Sequence, residues 1–467
     1  MNAVCDRKKS LQMDSKSSYI DILLTKVDQK FEAIFDAIDL PDVDLAGAVE
    51  AVKKIDPRVD PVLVQTIIQK KLDAIFADPE CAVCGNHLRK KYTLQRKIIT
   101  SIGKMTFGCP YFFCKSCNTY HSPYEDVLRL SQGEYQKDFQ KIAARLAAND
   151  TFEEAAAILN DFFQTNISAD TVHSLTNALA EGIELAEIIP TADEVVKVVE
   201  EISRDQHRRP VFVFAADGAM APIRSKDRGA ANVWREIKGV RGYLLDKDHV
   251  IHLLSWHQIG TKQDFTEYLL EIREQNIIPL HMVRLCFIGD GAGWIWEAVQ
   301  EVFPECRQVL DYYHCTKHLY EFAQLHFGND SDRVSEWVEQ TKVRLFHNNI
   351  QHVIAGLKRM RCRSEEERQR RDRLVDYLST HKDRTDYGRL RRGGYPLGSG
   401  AIESANKFIC HVRLKRSGAW WRVKYANNIL KLRCARYNGK LDQLSVKNDP
   451  APRGKRVRHG VKLRLIK

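Results

Sequence analysis

The sequence predicts a multidomain α/β protein, and three observations indicate this fold class. The chain has 467 residues, more than one compact core accommodates, so we expect two to four domains. Between residues 209 and 311, apolar runs of strand length alternate with helical periodicity, which favours a mixed sheet flanked by helices. The region before residue 200 is mainly helical, and a cysteine-bearing segment rich in aromatic and β-branched residues interrupts it. We therefore expect smaller N-terminal domains followed by an α/β core.

Composition places the chain among globular proteins. Hydrophobic residues make up 44% and charged residues 28% of the sequence, which is typical of a folded protein rather than a fibrous one. No apolar run approaches the roughly 18 residues that cross a bilayer. The N-terminal segment also lacks the apolar core of a signal peptide. We therefore expect a soluble cytoplasmic protein without a membrane partner.

The net charge of +11 is distributed unevenly along the chain. Residues 382–467 contain 23 Lys and Arg against 5 Asp and Glu, and the remainder is slightly acidic. A concentrated basic block favours a polyanionic partner, because each neutralised phosphate releases counterions. The alternative is a solvated tail that touches nothing specific. Residues 441–467 are predicted to be a basic C-terminal tail. Its basic residues are expected to form a disordered arm that binds DNA non-specifically, namely Arg453, Lys455, Arg456, Arg458, Lys462 and Arg464.

Residues 1–77 form a predicted helical region. Apolar side chains recur at helical spacing from Ile20 to Ile38, and a second periodic stretch runs from Pro61 to Phe76. The pattern indicates helices packed on one another before the cysteine-bearing segment.

Residues 126–200 form a second predicted helical region. Thr151 opens one helix with a capping box, and Ser168 caps another that we expect to continue to about Ile188. Three helices with a turn at residues 164–168 suit a helix-turn-helix-like arrangement that binds DNA. A generic helical bundle gives the same pattern, so both interpretations stay open.

Residues 78–125 are predicted to be a zinc ribbon. Cys81 and Cys84 form one C-x-x-C pair, and Cys114 and Cys117 form another after 29 intervening residues. Four thiolates bind Zn²⁺ tetrahedrally, and a closed site of this kind is structural. The alternatives are redox cysteines or buried free thiols. Cys109 and His87 are spare candidate ligands, and Arg89, Lys90, Lys91, Arg96 and Lys97 are candidate phosphate contacts.

Two apolar runs lead into Asp-Gly, at Asp217-Gly218 and at Asp290-Gly291. The carboxyl end of a strand is where α/β sheets present ligand-binding side chains, and the following Gly lets the backbone turn away. Two such carboxylates on neighbouring strands suit Mg²⁺ or Mn²⁺, which prefer oxygen ligands. The alternative for either site is an ordinary turn after a strand.

Glu403 is the third candidate carboxylate, in the first turn of a helix after the loop Gly398-Ser399-Gly400. We expect one apolar face of this helix to pack on the sheet, formed by Ala401, Ala405, Phe408 and Val412. Three carboxylates around a pair of metal ions are the arrangement that serves in-line phosphoryl transfer. Taken alone, Glu403 is equally an acid favoured by the helix dipole.

Basic and aromatic residues alternate after Glu403, which is typical of segments that contact DNA. Cations hold the phosphate backbone, and aromatic rings stack on exposed bases. The alternative is a core helix with a charged solvent face. The candidate DNA-binding residues are Lys407, Arg413, Lys415, Arg416, Trp420, Trp421 and Arg422.

Taken together, these segments resemble bacterial insertion-sequence transposases, in particular the ISKra group, which is related to Mutator-like elements. The resemblance covers roughly residues 75–440. It rests on Asp217-Gly218, Trp234-Arg235-Glu236-Ile237-Lys238, Gly289-Asp290-Gly291-Ala292-Gly293-Trp294-Ile295-Trp296, Leu310-Asp311-Tyr312-Tyr313-His314 and Gly398-Ser399-Gly400-Ala401-Ile402-Glu403-Ser404.

The resemblance implies a DDE transposase with Asp217, Asp290 and Glu403 as catalytic residues. Its catalytic core would be RNase H-like and formed by residues 205–317 and 395–440, with an all-helical insertion at residues 318–394. Such an enzyme binds two Mg²⁺ or Mn²⁺ ions, nicks DNA with an activated water and joins the freed 3′-hydroxyl to target DNA.

The segment Asp311-Tyr312-Tyr313-His314 resembles the Asp/Cys-x-x-His element of the same relatives. It implies a supporting role for Asp311 and His314, behind the metal ligands or on a DNA strand. The alternative is that His314 is a capping or core histidine.

The implied partners are the terminal inverted repeats of the mobile element and the target DNA. Two element ends must be held together, so we expect a homodimer or a higher multimer. One rival is a zinc-ribbon DNA-binding regulator derived from a transposase and no longer catalytic. Another is a different RNase H-like nuclease, such as a junction resolvase, which acts on branched DNA without terminal repeats.

Overall fold

The computed structural model describes residues 25, 27–38, 44–56, 59–204, 207–225, 231–246, 249–328, 330–444 and 446. These residues form two compact units that divide after Gly182. The second unit extends from Ile183 to Ser445. The predicted basic arm with Arg453 to Arg464 lies outside the described residues, and the finer division into seven regions stays a prediction.

The first unit begins with helices that cover a small antiparallel sheet. Asp44 and Asp60 cap two of these helices by accepting hydrogen bonds from backbone N–H groups of the first turn. Their apolar faces share one core with Phe107 and Cys109 of the sheet. The elements are α1 (residues 27–37), α2 (Leu45–Ile55), α3 (Pro61–Ile75), β1 (Arg89–Thr100), β2 (Gly103–Cys114), β3 (Thr119–His121) and α4 (Pro123–Leu128).

Three further helices complete this unit, namely α5 (Lys137–Ala147), α6 (Phe152–Phe163) and α7 (Ala169–Glu181). The predicted capping box at Thr151 and the cap at Ser168 are both confirmed. The prediction that the last helix continues to Ile188 is wrong, because α7 ends at Glu181. Gly182 follows it, and glycine is the poorest helix former after proline.

The second unit contains a five-stranded sheet in the order β6-β5-β4-β7-β8. Strand β5 is antiparallel to both of its neighbours, whereas β4, β7 and β8 are parallel to one another. Helices flank the sheet, so the predicted mixed sheet is confirmed. The elements are α8 (Ala192–Ser203), β4 (Val211–Ile223), β5 (Val233–Asp246), β6 (His249–Ile259), α9 (Lys262–Glu274), β7 (Arg284–Gly289), α10 (Gly293–Val302) and β8 (Arg307–Leu310).

Strand β5 is longer than the apolar run that marks it in the sequence. The run Tyr243-Leu244-Leu245 is only the end of β5, which begins at Val233. The first half of β5 carries polar side chains such as Arg235, so no apolar run marks it. Its backbone is nevertheless paired with β4, out to the pair Ile223 and Val233.

Five helices follow β8, namely α11 (Tyr312–Phe327), α12 (Ser331–Phe346), α13 (Ile350–Arg359), α14 (Glu365–Thr380) and α15 (Tyr387–Arg392). The chain then returns to the sheet through α16 (Gly400–Asn406), a π-helical turn (Lys407–His411), α17 (Val412–Leu414) and α18 (Val423–Tyr437). Helix α16 contacts β4 and β5, and α18 contacts β6. No helix in the described part of the chain is long and apolar enough to cross a bilayer.

The predicted apolar face of the segment after residue 400 is only partly correct. Ala405 is buried, but Phe408 and Val412 are 38% and 50% exposed. The buried residues here are instead Ile402 and Ile409. Burial recurs every three to four residues at Ile402, Ala405, Ile409 and Arg413, so the buried helical face is offset by about one residue from the predicted one.

Candidate functional site

Asp217 and Asp290 lie beside each other on adjacent parallel strands. The last residue pair between β4 and β7 is Ala216 with Gly289, so each Asp comes one residue after that pair. Strand β7 ends there, as predicted. Strand β4 does not end at Asp217-Gly218 but continues to Ile223, because β5 supplies a hydrogen-bonding partner for the whole extension. Strand pairing therefore fixes the backbone both before and after Asp217 in the sequence.

Helix α16 brings a third carboxylate to the same end of the sheet. Glu403 lies in the first turn of α16 and is exposed. Arg241 of β5 holds the start of this helix by donating to the Ala401 carbonyl oxygen at 2.9 Å. One turn after Glu403, Asn406 donates from Nδ2 to Asp217 Oδ2 at 2.8 Å. Residues three apart lie on one side of a helix. Glu403 and Asn406, which binds Asp217, therefore lie on the same face of α16.

The electrostatics of Asp217 reflect this crowding of negative charge. Burial raises the pKa of its carboxyl group to about 6, and the nearby carboxylates of Asp290 and Glu403 contribute to the rise. The backbone N–H of Gly218 and the imidazole of His314 act in the opposite direction. A half-buried carboxylate beside two others is stabilised in its charged form by a cation. The donor set of Asp217, Asp290 and Glu403 therefore fits a divalent ion with oxygen ligands.

The three carboxylates are not grouped as compactly as the cysteines of the first unit. Among the described residues, only the four predicted zinc cysteines form a set of three or more potential ligands whose atoms all lie within 4.8 Å of one another. Like charges repel in the absence of a cation, and carboxylates that share a pair of ions need not touch one another.

Asn406 is itself held in place by a buried histidine. His257 of β6 is buried and contacts Asn406 Oδ1 through Nε2 at 2.9 Å. Because the Asn406 amide nitrogen donates to Asp217, its oxygen must accept, so His257 Nε2 is the donor. Burial lowers the pKa of His257 to about 4, although the hydrogen bond to Asn406 acts in the opposite direction. The ring is therefore neutral at pH 7 and can keep this tautomer.

Gly239 has no side chain, which leaves space for the hydrogen bond between His257 and Asn406. It is paired with Asp217 on β4 and with His257 on β6. A Cβ atom added there would lie 2.7 Å from the His257 ring and 3.1 Å from Asn406 Oδ1. His257, Asn406 and Gly239 were not among the site residues predicted from the sequence. Only Asn406 carried a usable signal, since it lies one helical turn after Glu403.

Asp311 and His314 lie at the start of α11, next to the carboxylates. Asp311 is buried, and its two oxygens accept hydrogen bonds from the backbone N–H groups of His314 at 2.7 Å and Ser399 at 2.5 Å. Burial alone would raise the pKa of Asp311, but hydrogen bonds from His314 and Ser399 outweigh burial and lower it. Asp311 thus ties α11 to the loop that leads into α16.

The His314 ring lies 3.4 Å from Asp311, measured from Nδ1 to Oδ1. The interaction with Asp311 raises the pKa of His314 against the opposing effect of burial, and the charges of Asp290 and Asp217 raise it further. His314 is thus a half-buried imidazole that faces three carboxylates. The supporting role predicted for Asp311 and His314 remains a prediction.

The predicted DNA-binding residues divide into exposed and buried groups. Arg413 and Trp421 are 3% and 8% exposed, and the Arg413 guanidinium lies 4.7 Å from the Trp421 ring centroid. Trp421 also donates from Nε1 to the Leu414 carbonyl oxygen at 3.1 Å. The predicted DNA contacts of these two residues do not fit their burial, because each is satisfied inside the protein. Arg416 is half-buried, and the exposed members are Lys407, Lys415, Trp420 and Arg422.

The four predicted zinc ligands of the first unit lie together. The Sγ atoms of Cys81 and Cys117 are 3.9 Å apart, and those of Cys84 and Cys114 are 3.5 Å apart. Tetrahedral Zn²⁺ with bonds of about 2.3 Å places its sulfur ligands about 3.8 Å apart. Backbone N–H groups of Val83 and Cys84 lower the pKa of Cys81 to about 6, which favours the thiolate. The cluster could therefore hold a structural zinc ion.

The two spare candidates do not belong to this cluster. Cys109 is buried in the core of the first unit, and His87 is exposed and pairs with Asp78 at 3.1 Å. A histidine that the sequence analysis missed lies closer. Nε2 of His121 is 3.4 Å from Cys81 Sγ, because pairing of β3 with β2 returns the chain to the cysteines.

Comparison with known proteins gives a family match, and a curated protein and a solved structure are also similar to the chain. A family described as "Uncharacterised protein family (UPF0236)" matches residues 48–447. The "UPF0236 protein in vanSb 3'region" of Streptococcus gallolyticus is 21% identical over 327 residues, which span 68% of this chain and 67% of that protein. Among solved structures, the "Drosophila P element transposase strand transfer complex" matches with a TM-score of 0.31 and 10% identity. That match covers 66% of this chain and 94% of the other, and its TM-score is too low to support a common fold.

Proposed function

The chain belongs to the uncharacterised protein family UPF0236, and we propose that it is a DNA transposase of the DDE type. The observation that carries the proposal is the carboxylate cluster of Asp217, Asp290 and Glu403. It joins adjacent parallel strands and a returning helix at one end of the sheet, and burial together with the charges of the other two carboxylates raises the pKa of Asp217 to about 6. This concentration of negative charge calls for cations, and divalent ions with oxygen ligands suit the donor set.

The topology supports an RNase H-like core of the kind that the ISKra resemblance implies. The strand order β6-β5-β4-β7-β8, with β5 alone antiparallel, places the two Asp residues on central strands. Helices α11 to α15 separate β8 from α16, which agrees with an all-helical insertion before Glu403.

Some residues of the site would bind the metal ions, and others orient the residues that bind them. Bound Mg²⁺ or Mn²⁺ ions would supply charge neutralisation and polarisation of the reacting oxygens for in-line displacement at phosphorus. Asp217, Asp290 and Glu403 would hold these ions. Asn406 fixes the rotamer of Asp217, and Asp311 fixes the loop before α16 through Ser399. The reaction is attack of water on a phosphodiester, which frees a 3′-hydroxyl that then attacks a phosphodiester of the target DNA.

DNA recognition is assigned to the first unit. The zinc ribbon and the helices α5 to α7 offer folded elements that could enter a groove, which base recognition requires. Transposition joins two element ends, so the active species on DNA would be a homodimer or a higher multimer.

A cleavage assay tests the proposal. The substrate is DNA that spans the ends of the element in which the gene lies, with Mg²⁺ as the only divalent ion added. Asp217→Asn, Asp290→Asn and Glu403→Gln should each abolish cleavage and preserve DNA binding and folding. Asp332→Asn on α12 is the matched control, since it removes an exposed acid outside the site and should cleave normally.

Two other results would replace the proposal. Specific binding without cleavage by the wild-type protein would indicate a regulator derived from a transposase. Cleavage of four-way junctions regardless of terminal repeats would indicate a junction resolvase.

A further inference from the structure

We propose that Trp234 and Trp420 form a stacking surface for unpaired bases of the DNA strand that leaves the carboxylate site. The proposal deepens the proposed function and rests on it. Trp234 lies at the start of β5 and Trp420 in the segment before α18, and they are 53% and 37% exposed. Their ring centroids are 6.3 Å apart at an interplanar angle of 65°. The pair replaces Trp421, which is buried, as the aromatic contact to DNA.

The surface is built on the strand extension beyond Asp217. Trp234 is paired with Pro222 of β4. The segment of Trp420 is fixed to the same place by two backbone hydrogen bonds, from Arg224 N to Trp421 O at 2.7 Å and from Trp421 N to Pro222 O at 3.1 Å. Residues 217 and 222 are five positions apart on one strand, or roughly 17 Å at 3.4 Å per residue. The rings thus lie a few nucleotides from the carboxylates.

The chemistry of the surroundings favours nucleic acid as the occupant. Lys415 Nζ lies 5.9 Å from the Trp234 ring centroid, and Arg235 and Arg422 are exposed nearby in sequence. The acidic Glu236 two residues after Trp234 is neutralised by Lys238 at 2.6 Å. Exposed indole faces flanked by cations match a strand with phosphates outside and unpaired bases inside, because every base offers a π-face. A purely apolar partner would leave these cations without a counterpart.

A binding experiment on the full chain tests this surface separately from catalysis. The probes are a fluorescent single-stranded thymidine oligonucleotide and a duplex of equal length, both in buffer without Mg²⁺. Trp234→Leu and Trp420→Leu keep the apolar bulk but remove the stacking face. Each should weaken single-strand binding at least fivefold, on the basis of about 1–3 kcal/mol per stacked base. Duplex binding should change less than twofold.

Matched variants complete the experiment. Trp234→Phe and Trp420→Phe retain a ring and should bind within about threefold of wild type. Lys415→Gln should lower the salt dependence of binding by roughly one unit of slope. Val343→Ala, an exposed apolar residue on α12, should have no effect.

Equal losses for single strand and duplex, or no loss in the Leu variants, would overturn the proposal. So would a change of oligomeric state in the Leu variants without a change in single-strand binding, since the surface would then join copies of the chain. None of these outcomes depends on cleavage. The proposed function can therefore fail in the Asp217→Asn test while the stacking surface stands, and the reverse also holds.

Discussion

Asn406 Nδ2 donates a hydrogen bond of 2.8 Å to Asp217 Oδ2, across 189 residues of sequence. The same amide accepts from the buried His257. Asp217 is thus oriented by a side chain whose own orientation is fixed by a second one. Partners of this kind behind metal ligands typically contribute 10–100-fold to metal affinity or activity.

Asn406→Ala should therefore lower the cleavage rate about 10–100-fold and raise the Mg²⁺ concentration needed for half-maximal rate. The change leaves Asp217 in place but releases its rotamer. A Mg²⁺ titration of the cleavage rate is the measurement, with Asn438→Ala as a control for a half-buried amide contact outside the site. An unchanged Mg²⁺ requirement together with lower thermal stability would reduce Asn406 to a structural role.

Gly239→Ala should disturb the site because the added Cβ meets the His257 ring at 2.7 Å. We expect destabilisation by about 1–3 kcal/mol, which is usual for overpacking a filled space. Gly356→Ala is the matched control, since a Cβ on that helical glycine meets nothing within 4 Å and should stabilise the protein by about 0.5–1 kcal/mol. Urea unfolding of both variants gives the comparison. If Gly239→Ala were as stable as Gly356→Ala, the sheet would have to shift to make room for the added Cβ atom.

The stability of the metal-free protein should fall as pH rises from about 4 to about 6, through Asp217. Its pKa is about 6 in the folded chain and 3.8 as the ordinary value. Between these values the folded state binds more protons than the unfolded state, so stability decreases with pH. Asp217→Asn cannot ionise and should lose this dependence, with a gain of about 1–3 kcal/mol at pH 7.

Added Mg²⁺ should restore the stability that the wild-type protein loses at pH 7 through ionisation of Asp217. The Asp217→Asn variant should show no such gain. Thermal unfolding at several pH values, with and without Mg²⁺, measures both parts. A wild-type melting temperature that Mg²⁺ leaves unchanged at millimolar concentration would remove Asp217 from the metal site.

Purified protein should contain about one Zn²⁺ per chain, held by the four cysteines of the ribbon. Cys81→Ser with Cys84→Ser should abolish zinc binding and unfold residues 78–125, because metal binding and folding of such a module are coupled. Cys362→Ser, a half-buried thiol outside the cluster, should retain zinc. Elemental analysis of protein prepared without chelators is the measurement. His121→Ala tests whether His121 is also a zinc ligand. Loss of a ligand would lower the zinc content, whereas loss of a residue that only lies nearby would not.

Features that depend on local spacing could be predicted from the sequence. Cys-x-x-Cys is a local geometry, so the two pairs predicted the cluster in which all four thiols lie within 4.8 Å. Thr151 and Ser168 cap their helices through hydrogen bonds to residues three positions later, and both predictions are confirmed. Continuous apolar runs likewise marked β4 and β7, because a strand buried on both faces has no polar alternation.

Contacts between distant side chains could not be predicted in this way, because they depend on the assembled fold. The length of β5 follows from pairing with β4, and the contacts of Asp217 with Asn406 and of Asn406 with His257 join residues on separate elements. The sequence could not distinguish buried Trp421 from exposed Trp420, since the two are adjacent and chemically identical. The structure separates them because the pairing of Trp421 with the end of β4 turns one ring inward and leaves the other on the surface. Local spacing fixes hydrogen bonds within a turn of helix, whereas burial and long-range contacts exist only once the sheet has been assembled.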